Sequence, residues 1–285
     1  MANAGQGLST ALDVRPALNS TEHQKYVHEE FLSSFNAFVE GTPMGDPTGA
    51  AGDVNGLMFD RNLFQYHIIG TATILAPALT ATGLDLSLDK ADNDGLELTL
   101  GCEHPEGTVI SARGRGTFTV GTDKPFYIAF KVSNADVSGT DEFMVGFRKS
   151  EAYQAVIETA YDEMAAFNVR SGDIFTTTIL NSSAGTVTDT DTTDNWADAD
   201  TKTLTVWCDS DGSRLGTARA VYYEIDGVKP TTVPTALFKF DAGEVVIPFF
   251  AYRYATTTPG VIEAKLWESG IIGGVGEMNQ IAKQS

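Results

Sequence analysis

From residue 57 to residue 268 the chain repeats one local pattern: a short run of β-branched, aromatic and other apolar residues, then a turn signal of Gly, Asp, Asn or Pro. The runs follow one another at roughly 8–12 residues, a spacing typical of antiparallel β-sandwiches. The 28 glycines and the many threonines also favour strands and tight turns over helices. The chain is therefore predicted to be all-β. The predicted strands are 65–75, 84–88, 96–100, 108–113, 116–120, 126–132, 143–148, 174–180, 203–208, 220–225, 244–254 and 261–268.

One segment near the N-terminus departs from this pattern. Four apolar residues, Val27, Phe31, Phe35 and Phe38, recur at spacings of four, four and three, which places them on one face of a helix. We predict an amphipathic helix over 21–40, preceded by a polar arm. Its apolar stripe has two interpretations: it packs on the chain's own sandwich, or it docks on a partner protein.

Two further segments are less regular. Residues 151–167 are rich in alanine and predict a short helix. Residues 186–203 contain seven Thr and five Asp among eighteen residues, a composition typical of a long exposed loop. Trp196 lies inside this loop, and it either folds back as a local core or is exposed as a sugar-stacking or contact residue.

The length of 285 residues suits a single large β-domain with extensions. The predicted organisation is an N-terminal arm and helix over 1–56, a β-sandwich over 57–270 and a glycine-rich C-terminal tail over 271–285.

Charge excludes whole classes of partner. The chain has 38 Asp and Glu against 19 Lys and Arg, so its formal net charge is −19. Such a protein repels nucleic-acid phosphates and anionic membrane surfaces. Residues 1–7 lack the basic start and apolar run of a secretory signal, and no apolar run reaches the roughly 20 residues that span a bilayer. We therefore expect synthesis in the cytoplasm without a signal peptide, with Cys102 and Cys208 as reduced thiols.

The C-terminal third carries a resemblance to a known fold. Residues 204–208 (LTVWC), 222–228 (YYEIDGV) and 246–250 (VIPFF) follow one another around the turn at 209–212. This succession resembles concanavalin-type jelly-roll sandwiches. The resemblance implies an antiparallel jelly-roll β-sandwich in which 126–132 and 143–148 form a central strand pair.

A narrower resemblance concerns function. The segments 70–79 (GTATILAPAL), 146–153 (GFRKSEAY) and 241–250 (DAGEVVIPFF), on an acidic chain with an N-terminal arm, look like virion proteins of tailed bacteriophages. Capsid decoration or cement proteins fit best. The resemblance implies binding to the major capsid protein at the capsid surface as a homo-oligomer, a trimer by analogy. The alternative is a lectin-like carbohydrate-binding module of a phage fibre or receptor-binding structure.

Catalysis and cofactors are not expected. Some concanavalin-type glycosidases carry Glu-x-Asp-x-x-Glu, and Glu224-Ile225-Asp226 begins that motif, but Gly227 and Val228 follow and indicate a turn. No motif of a nucleophilic serine or a zinc helix is present in the sequence. A calcium ion could be held by loop aspartates, although a solvated acidic surface explains the same residues. Those aspartates are Asp189, Asp191, Asp194, Asp198 and Asp200.

Overall fold

Two antiparallel β-sheets form the protein, and they confirm the predicted all-β jelly-roll sandwich. A computed structural model describes residues 25–31, 42–44, 54–59, 62–71, 77–87, 90–100, 116–154, 156–181, 187–257 and 260–272. Within these ranges every predicted strand overlaps an observed one, and the predicted strand 108–113 lies outside them. The same described ranges contain no helix with the length and apolarity needed to span a membrane.

The described residues form seventeen strands, one helical turn and one 3-10 turn. The strands are β1 Val27–Glu30, β2 Thr42–Met44, β3 Val54–Phe59, β4 Asn62–Ile69, β5 Ala78–Leu79, β6 Leu84–Asp85, β7 Gly95–Leu100, β8 Phe118–Thr119, β9 Phe126–Asn134, β10 Thr140–Lys149, β11 Met164–Arg170, β12 Asp173–Ile179, β13 Val187–Asn195, β14 Thr201–Asp209, β15 Ala220–Ile225, β16 Val245–Tyr254 and β17 Ile262–Ile271. The helical turn α1 spans Ile157–Ala160, and the 3-10 turn spans Val137–Gly139.

The seven-stranded sheet has the order β15-β14-β9-β17-β6-β5, with β1 paired to β17. The ten-stranded sheet has the order β13-β12-β11-β10-β16-β7-β4-β3-β2, with β8 paired to β16. Strands β9 and β10, predicted as a central pair, are interior strands of different sheets. The chain crosses between the sheets through the 3-10 turn, where the Asp136 side chain accepts a hydrogen bond from the backbone N–H of Gly139 at 3.0 Å.

The main core lies between the sheets because alternate residues of each strand point inward. Aromatic rings join the layers there. Phe130 of β9 lies 4.7 Å from Phe250 of β16 and 5.6 Å from Trp267 of β17, measured between ring centroids. Phe250 in turn lies 5.0 Å from Phe143 of β10. These contacts link both sheets through edge-to-face and tilted packing, which aromatic pairs prefer.

The predicted helix over 21–40 is wrong in the part that the structure describes. Residues Val27–Glu30 are strand β1, which pairs antiparallel with β17, and Val27 lies opposite Ser269. Burial alternates along β1, with Val27 and Glu29 buried and the residues between and after them exposed. A spacing of four residues places side chains on one face of a helix and also on one face of a strand, since four is a multiple of two. The Val27–Phe31 spacing is therefore satisfied by the strand.

The predicted loop over 186–203 is also wrong. Strand β13 occupies Val187–Asn195 and pairs with β12, so that Thr190 lies opposite Thr176. Threonine is β-branched and suits a strand, and polar side chains are tolerated because most of β13 is solvent-exposed. In the 151–167 region helix is limited to the single turn α1, and β11 begins at Met164.

Candidate functional site

The apolar residues predicted as a partner interface do not form one in the described chain. Val27 and Phe31 belong to the core between the sheets. The Phe31 ring packs against Phe64, with centroids 5.8 Å apart. Phe35 and Phe38 lie outside the described residues. Of the two interpretations of this stripe, packing on the chain's own sandwich is the one that Val27 and Phe31 adopt.

Trp196 is not a surface contact either. Only 3% of the residue is exposed, and its indole N–H donates to the backbone oxygen of Asp200 at 3.1 Å. Its ring meets Phe143 at 5.2 Å in an edge-to-face arrangement. The side chain therefore folds back into the core at the β13–β14 turn.

The aspartates considered for calcium are engaged separately. Asp189 pairs with Arg170 at 2.9 Å, Asp194 accepts from the Thr231 hydroxyl at 2.8 Å, and Asp198 accepts from the backbone N–H of Val137 at 2.8 Å. Among the described residues, no group of three or more His, Cys, Asp or Glu side chains is arranged to hold a metal ion.

A different surface, the outer face of the seven-stranded sheet, gathers aromatic side chains. Because β14 directs Val206 and Cys208 into the core, Trp207 between them points outward. The register places Tyr222 of β15 on one side of Trp207 and Tyr127 of β9 on the other. We call these three residues the aromatic row.

The rings of the aromatic row differ in accessibility. Trp207 and Tyr127 are 4% and 8% exposed, whereas Tyr222 is only partly buried. Tyr222 stacks on Trp207 with centroids 4.3 Å apart and an interplanar angle of 19°. Ile272 packs against the same cluster. Tyr222 is thus the ring of the row that is most open to a ligand, and Trp207 supports it from behind.

The hairpin loop between β14 and β15 brings a cation to the aromatic row. The Arg214 guanidinium lies 5.2 Å from the centre of the Trp207 ring, within cation–π range. Buried Asp209 orients the loop, because its carboxylate accepts from the backbone N–H groups of Arg214 at 3.1 Å and Leu215 at 2.8 Å. Gly212 supplies the positive φ of 75° that this turn needs. Asp209 therefore fixes the position of Arg214 through the backbone.

Next to the aromatic row lies a row of polar and small residues. The register places Glu224, Thr205, Ala129 and Glu268 side by side on β15, β14, β9 and β17. We call these four residues the polar row. Thr205 and Glu224 of this row are buried, each with 7% of the residue exposed.

The two glutamates of the polar row have different surroundings. Tyr127 donates its hydroxyl to the Glu268 carboxylate, whereas Glu224 lies near the positive charge of Arg214. Burial raises the pKa of Glu224, against the opposing effect of Arg214. Burial also pushes the pKa of Glu268 upward, but hydrogen bonds with His28 and Tyr127 outweigh it and leave that pKa below its usual range. Glu268 is therefore an anion at neutral pH, and Glu224 takes up a proton more readily than an exposed glutamate.

The combination of groups decides what this face can bind. An accessible aromatic ring gives a flat apolar surface, a carboxylate accepts hydrogen bonds from hydroxyl groups, and a guanidinium donates them in a fixed geometry. A sugar ring offers both a C–H face and hydroxyl pairs. The face around Tyr222 and Arg214 thus presents a guanidinium beside an apolar platform, as small-molecule sites do, with the buried Glu224 carboxylate next to them.

The sequence predictions do not include this site, although the sequence carries a signal for it. Residues 203–208 alternate Thr, Leu, Thr, Val, Trp and Cys, so Trp207 has the same phase as the threonines. An aromatic residue on the polar phase of a strand faces outward. Recognising that Tyr222 and Tyr127 join Trp207 requires the strand pairing.

No protein family model matches this chain, and no curated protein matches it. Solved structures with a similar fold do exist. A legume lectin-like domain from Entamoeba histolytica is 8% identical, with 82% of this chain and 99% of that chain covered at a TM-score of 0.47. The carbohydrate recognition domain of Emp47p is 12% identical, with 75% and 90% covered at a TM-score of 0.45.

A third similar structure comes from work on endo-acting O-glycanases of human gut microbiota that initiate mucin breakdown. It is 11% identical, with 87% of this chain and 99% of that chain covered at a TM-score of 0.46. The likeness to these three structures is one of fold alone. None of the three is a virion protein, and the predicted phage link has no support from them.

Proposed function

We propose that this protein binds carbohydrate on the outer face of its seven-stranded sheet. The observation that carries the proposal is the partly buried Tyr222 ring, stacked on Trp207 and flanked by Glu224 and Arg214. The lectin-like fold fits this function better than capsid decoration.

In this proposal the C–H face of one sugar ring packs on Tyr222. Sugar hydroxyls accept from Arg214, which Asp209 already holds in place, while the buried Glu224 carboxylate lies near the guanidinium. A ring that is supported from behind and a loop that is already ordered lose little conformational entropy on binding.

We propose binding without turnover. Glu224 and Glu268 stand on strands separated by two others, so their backbones are about 14 Å apart. Retaining glycosidases hold their carboxyl groups about 5 Å apart and inverting ones about 6.5–9.5 Å. Glu268 is also engaged by the Tyr127 hydroxyl, which donates a hydrogen bond to it. These features support recognition of a sugar that leaves unchanged.

The biological setting follows from the sequence resemblance alone. It favours a phage fibre or receptor-binding structure, in which a homo-oligomer would present several sugar sites and gain avidity. Capsid decoration has lost its candidate anchor among the described residues, since Val27 and Phe31 are part of the core.

A glycan array followed by calorimetry tests the proposal. We expect a bound glycan for the native protein and at least a tenfold loss of affinity for Tyr222→Ala, because the sugar loses its stacking surface. The matched control is Phe175→Ala, which removes another aromatic residue with an arginine over its ring, here Arg170 at 5.2 Å. That ring belongs to the ten-stranded sheet, so its removal should leave affinity within twofold.

Two results would contradict the proposal. Absence of binding to neutral, amino-sugar and acidic glycans alike would reject carbohydrate recognition. Loss of binding in Phe175→Ala with full binding in Tyr222→Ala would place the site on the other sheet.

A further inference from the structure

A buried carboxyl group lies away from the proposed sugar site, just before β11. Glu163 is fully buried. One of its carboxyl oxygens, Oε2, accepts a hydrogen bond from the backbone N–H of Asp241 at 3.1 Å. The other oxygen, Oε1, is buried and has no hydrogen-bond partner among the described residues. Oε2 of Glu163 therefore binds the segment that precedes β16, whereas Oε1 remains without a hydrogen bond among the described residues.

The charges around Glu163 disfavour its ionised form. Asp241 and Glu244 face it from the segment before β16, and Lys149 faces it from the end of β10. Lys149 is already paired with Asp162 at 2.7 Å and with Glu244 at 3.3 Å. Burial, reinforced by the two neighbouring carboxylates, raises the pKa of Glu163 to about 7. The acidic Glu151 side chain is near this cluster as well, because it accepts from the backbone N–H of Asp162.

The segment that Glu163 holds also contacts the loop of the proposed sugar site. The backbone oxygen of Phe240 accepts from the Arg219 guanidinium at 2.8 Å. The backbone N–H of Arg219 donates to the backbone oxygen of Asp209 at 2.7 Å. Asp209 in turn binds the backbone N–H groups that position Arg214. Hydrogen bonds and short stretches of backbone thus connect Glu163 to the loop that places the Arg214 guanidinium over Trp207.

We propose that Glu163 is a proton-controlled latch for residues 238–244. When Glu163 is protonated, this segment packs closely and supports the 209–219 loop. When Glu163 loses its proton to solvent, a buried anion faces the carboxylates of Asp241 and Glu244, so the segment opens and the loop loses its support. The consequence for sugar affinity rests on the proposed function, whereas the latch itself does not.

The sign of the pH effect follows from linkage. The closed form binds the proton more tightly than the open form, in which Glu163 would be exposed with its ordinary pKa near 4.5. The closed form is therefore favoured at low pH and weakens as pH rises toward and through 7. Between pH 5 and pH 8, these two pKa values correspond to an increase in the open population of roughly 70-fold.

Amide hydrogen exchange on the ligand-free protein tests the latch. The reporting amides are those of Arg219, Val221, Asp241 and Gly243, which all donate to backbone or carboxyl oxygens in this region. After correction for intrinsic rates, we expect roughly 70-fold faster exchange at pH 8 than at pH 5. Glu163→Gln, which stays neutral, should exchange at the same corrected rate at both pH values. Glu158→Gln, a partner of Arg170 elsewhere, should behave as the native protein.

The outcomes separate cleanly. Equal corrected exchange at pH 5 and pH 8 in the native protein, or an unchanged pH effect in Glu163→Gln, would overturn the latch. If Glu163→Gln fails to fold, Glu244→Gln replaces it: removal of one neighbouring charge should lower the pKa of Glu163 in the closed form and so reduce the rise in corrected exchange between pH 5 and pH 8, and an unreduced rise would overturn the proposal. A pH-dependent opening without any glycan binding would retain the latch and reject the proposed function.

Discussion

At the scale of single residues, a buried ion pair ties the outer face of the ten-stranded sheet to the segment that covers it. Arg148 donates from Nε to Glu97 Oε1 at 2.5 Å, and both side chains are fully buried. Tyr161 donates its hydroxyl to the other oxygen of Glu97, and its ring lies 4.3 Å from the Arg148 guanidinium. Removing one partner of such a buried ion pair strongly lowers the free energy of unfolding, because the other charge stays buried without compensation.

Arg148→Met should lower the free energy of unfolding by about 3–5 kcal/mol, since Glu97 would stay buried without its cation. Lys124→Met serves as the control, because the Lys124–Asp211 pair is exposed and should contribute under about 1 kcal/mol. Urea unfolding followed by tryptophan fluorescence measures both. Equal losses for the two variants would show that burial does not distinguish the pairs.

At the scale of elements, β1 shows how a long-range partner decides secondary structure. The strand adds to β17 and places Val27 and Phe31 against the core. In the ten-stranded sheet, β13 is an edge strand among the described residues, and it exposes Asp and Thr side chains. Such polar side chains discourage pairing with a second molecule. Charged edges of this kind protect a sandwich whose outermost strands have unpaired backbone groups.

Phe31→Ala should cost about 3–5 kcal/mol of unfolding free energy, because a fully buried ring would be replaced by a cavity. Glu30→Ala, next to it on the exposed face of the strand, should change stability by less than about 0.5 kcal/mol. Thermal and urea unfolding of both variants test this contrast. A small loss for Phe31→Ala would contradict its place in the core.

At the scale of the whole molecule, the net charge of −19 is the main long-range electrostatic feature. Like charges on a compact protein repel one another, and this repulsion weakens the folded state. Salt screens the repulsion, with a Debye length of about 30 Å at 0.01 M and about 10 Å at 0.1 M. The same charge disfavours binding of anionic glycans and leaves neutral or amino sugars as the better ligands of the proposed site.

Raising the salt concentration from 0.01 M to 0.3 M at pH 7.5 should therefore raise Tm by a few degrees, because repulsion between surface carboxylates is screened. The control is the same salt series near pH 4.4, the isoelectric point, where the net charge is near zero and the increase should vanish. Differential scanning calorimetry measures both series. A Tm that falls with salt at pH 7.5 would show that attractive pairs outweigh net repulsion.

The sequence by itself determined the fold class and the positions of most strands, including 126–132, 143–148 and 203–208. Alternation of inward and outward residues is a local property, and turn residues act over four positions, so both can be recognised without a partner. The turn at Asp226–Gly227 is of this kind, with φ values of 51° and 78°.

Only the tertiary structure decided the rest. The spacing of Val27 and Phe31 satisfies both a helix and a strand, and pairing with distant β17 selected the strand. Trp196 lies in a polar sequence, yet contact with Phe143 on another strand buried it. The aromatic row likewise exists because the register aligns Tyr222, Trp207 and Tyr127 across three strands. Each outcome depends on contacts between residues that are distant in the chain, and a local pattern does not specify which distant strand becomes the partner.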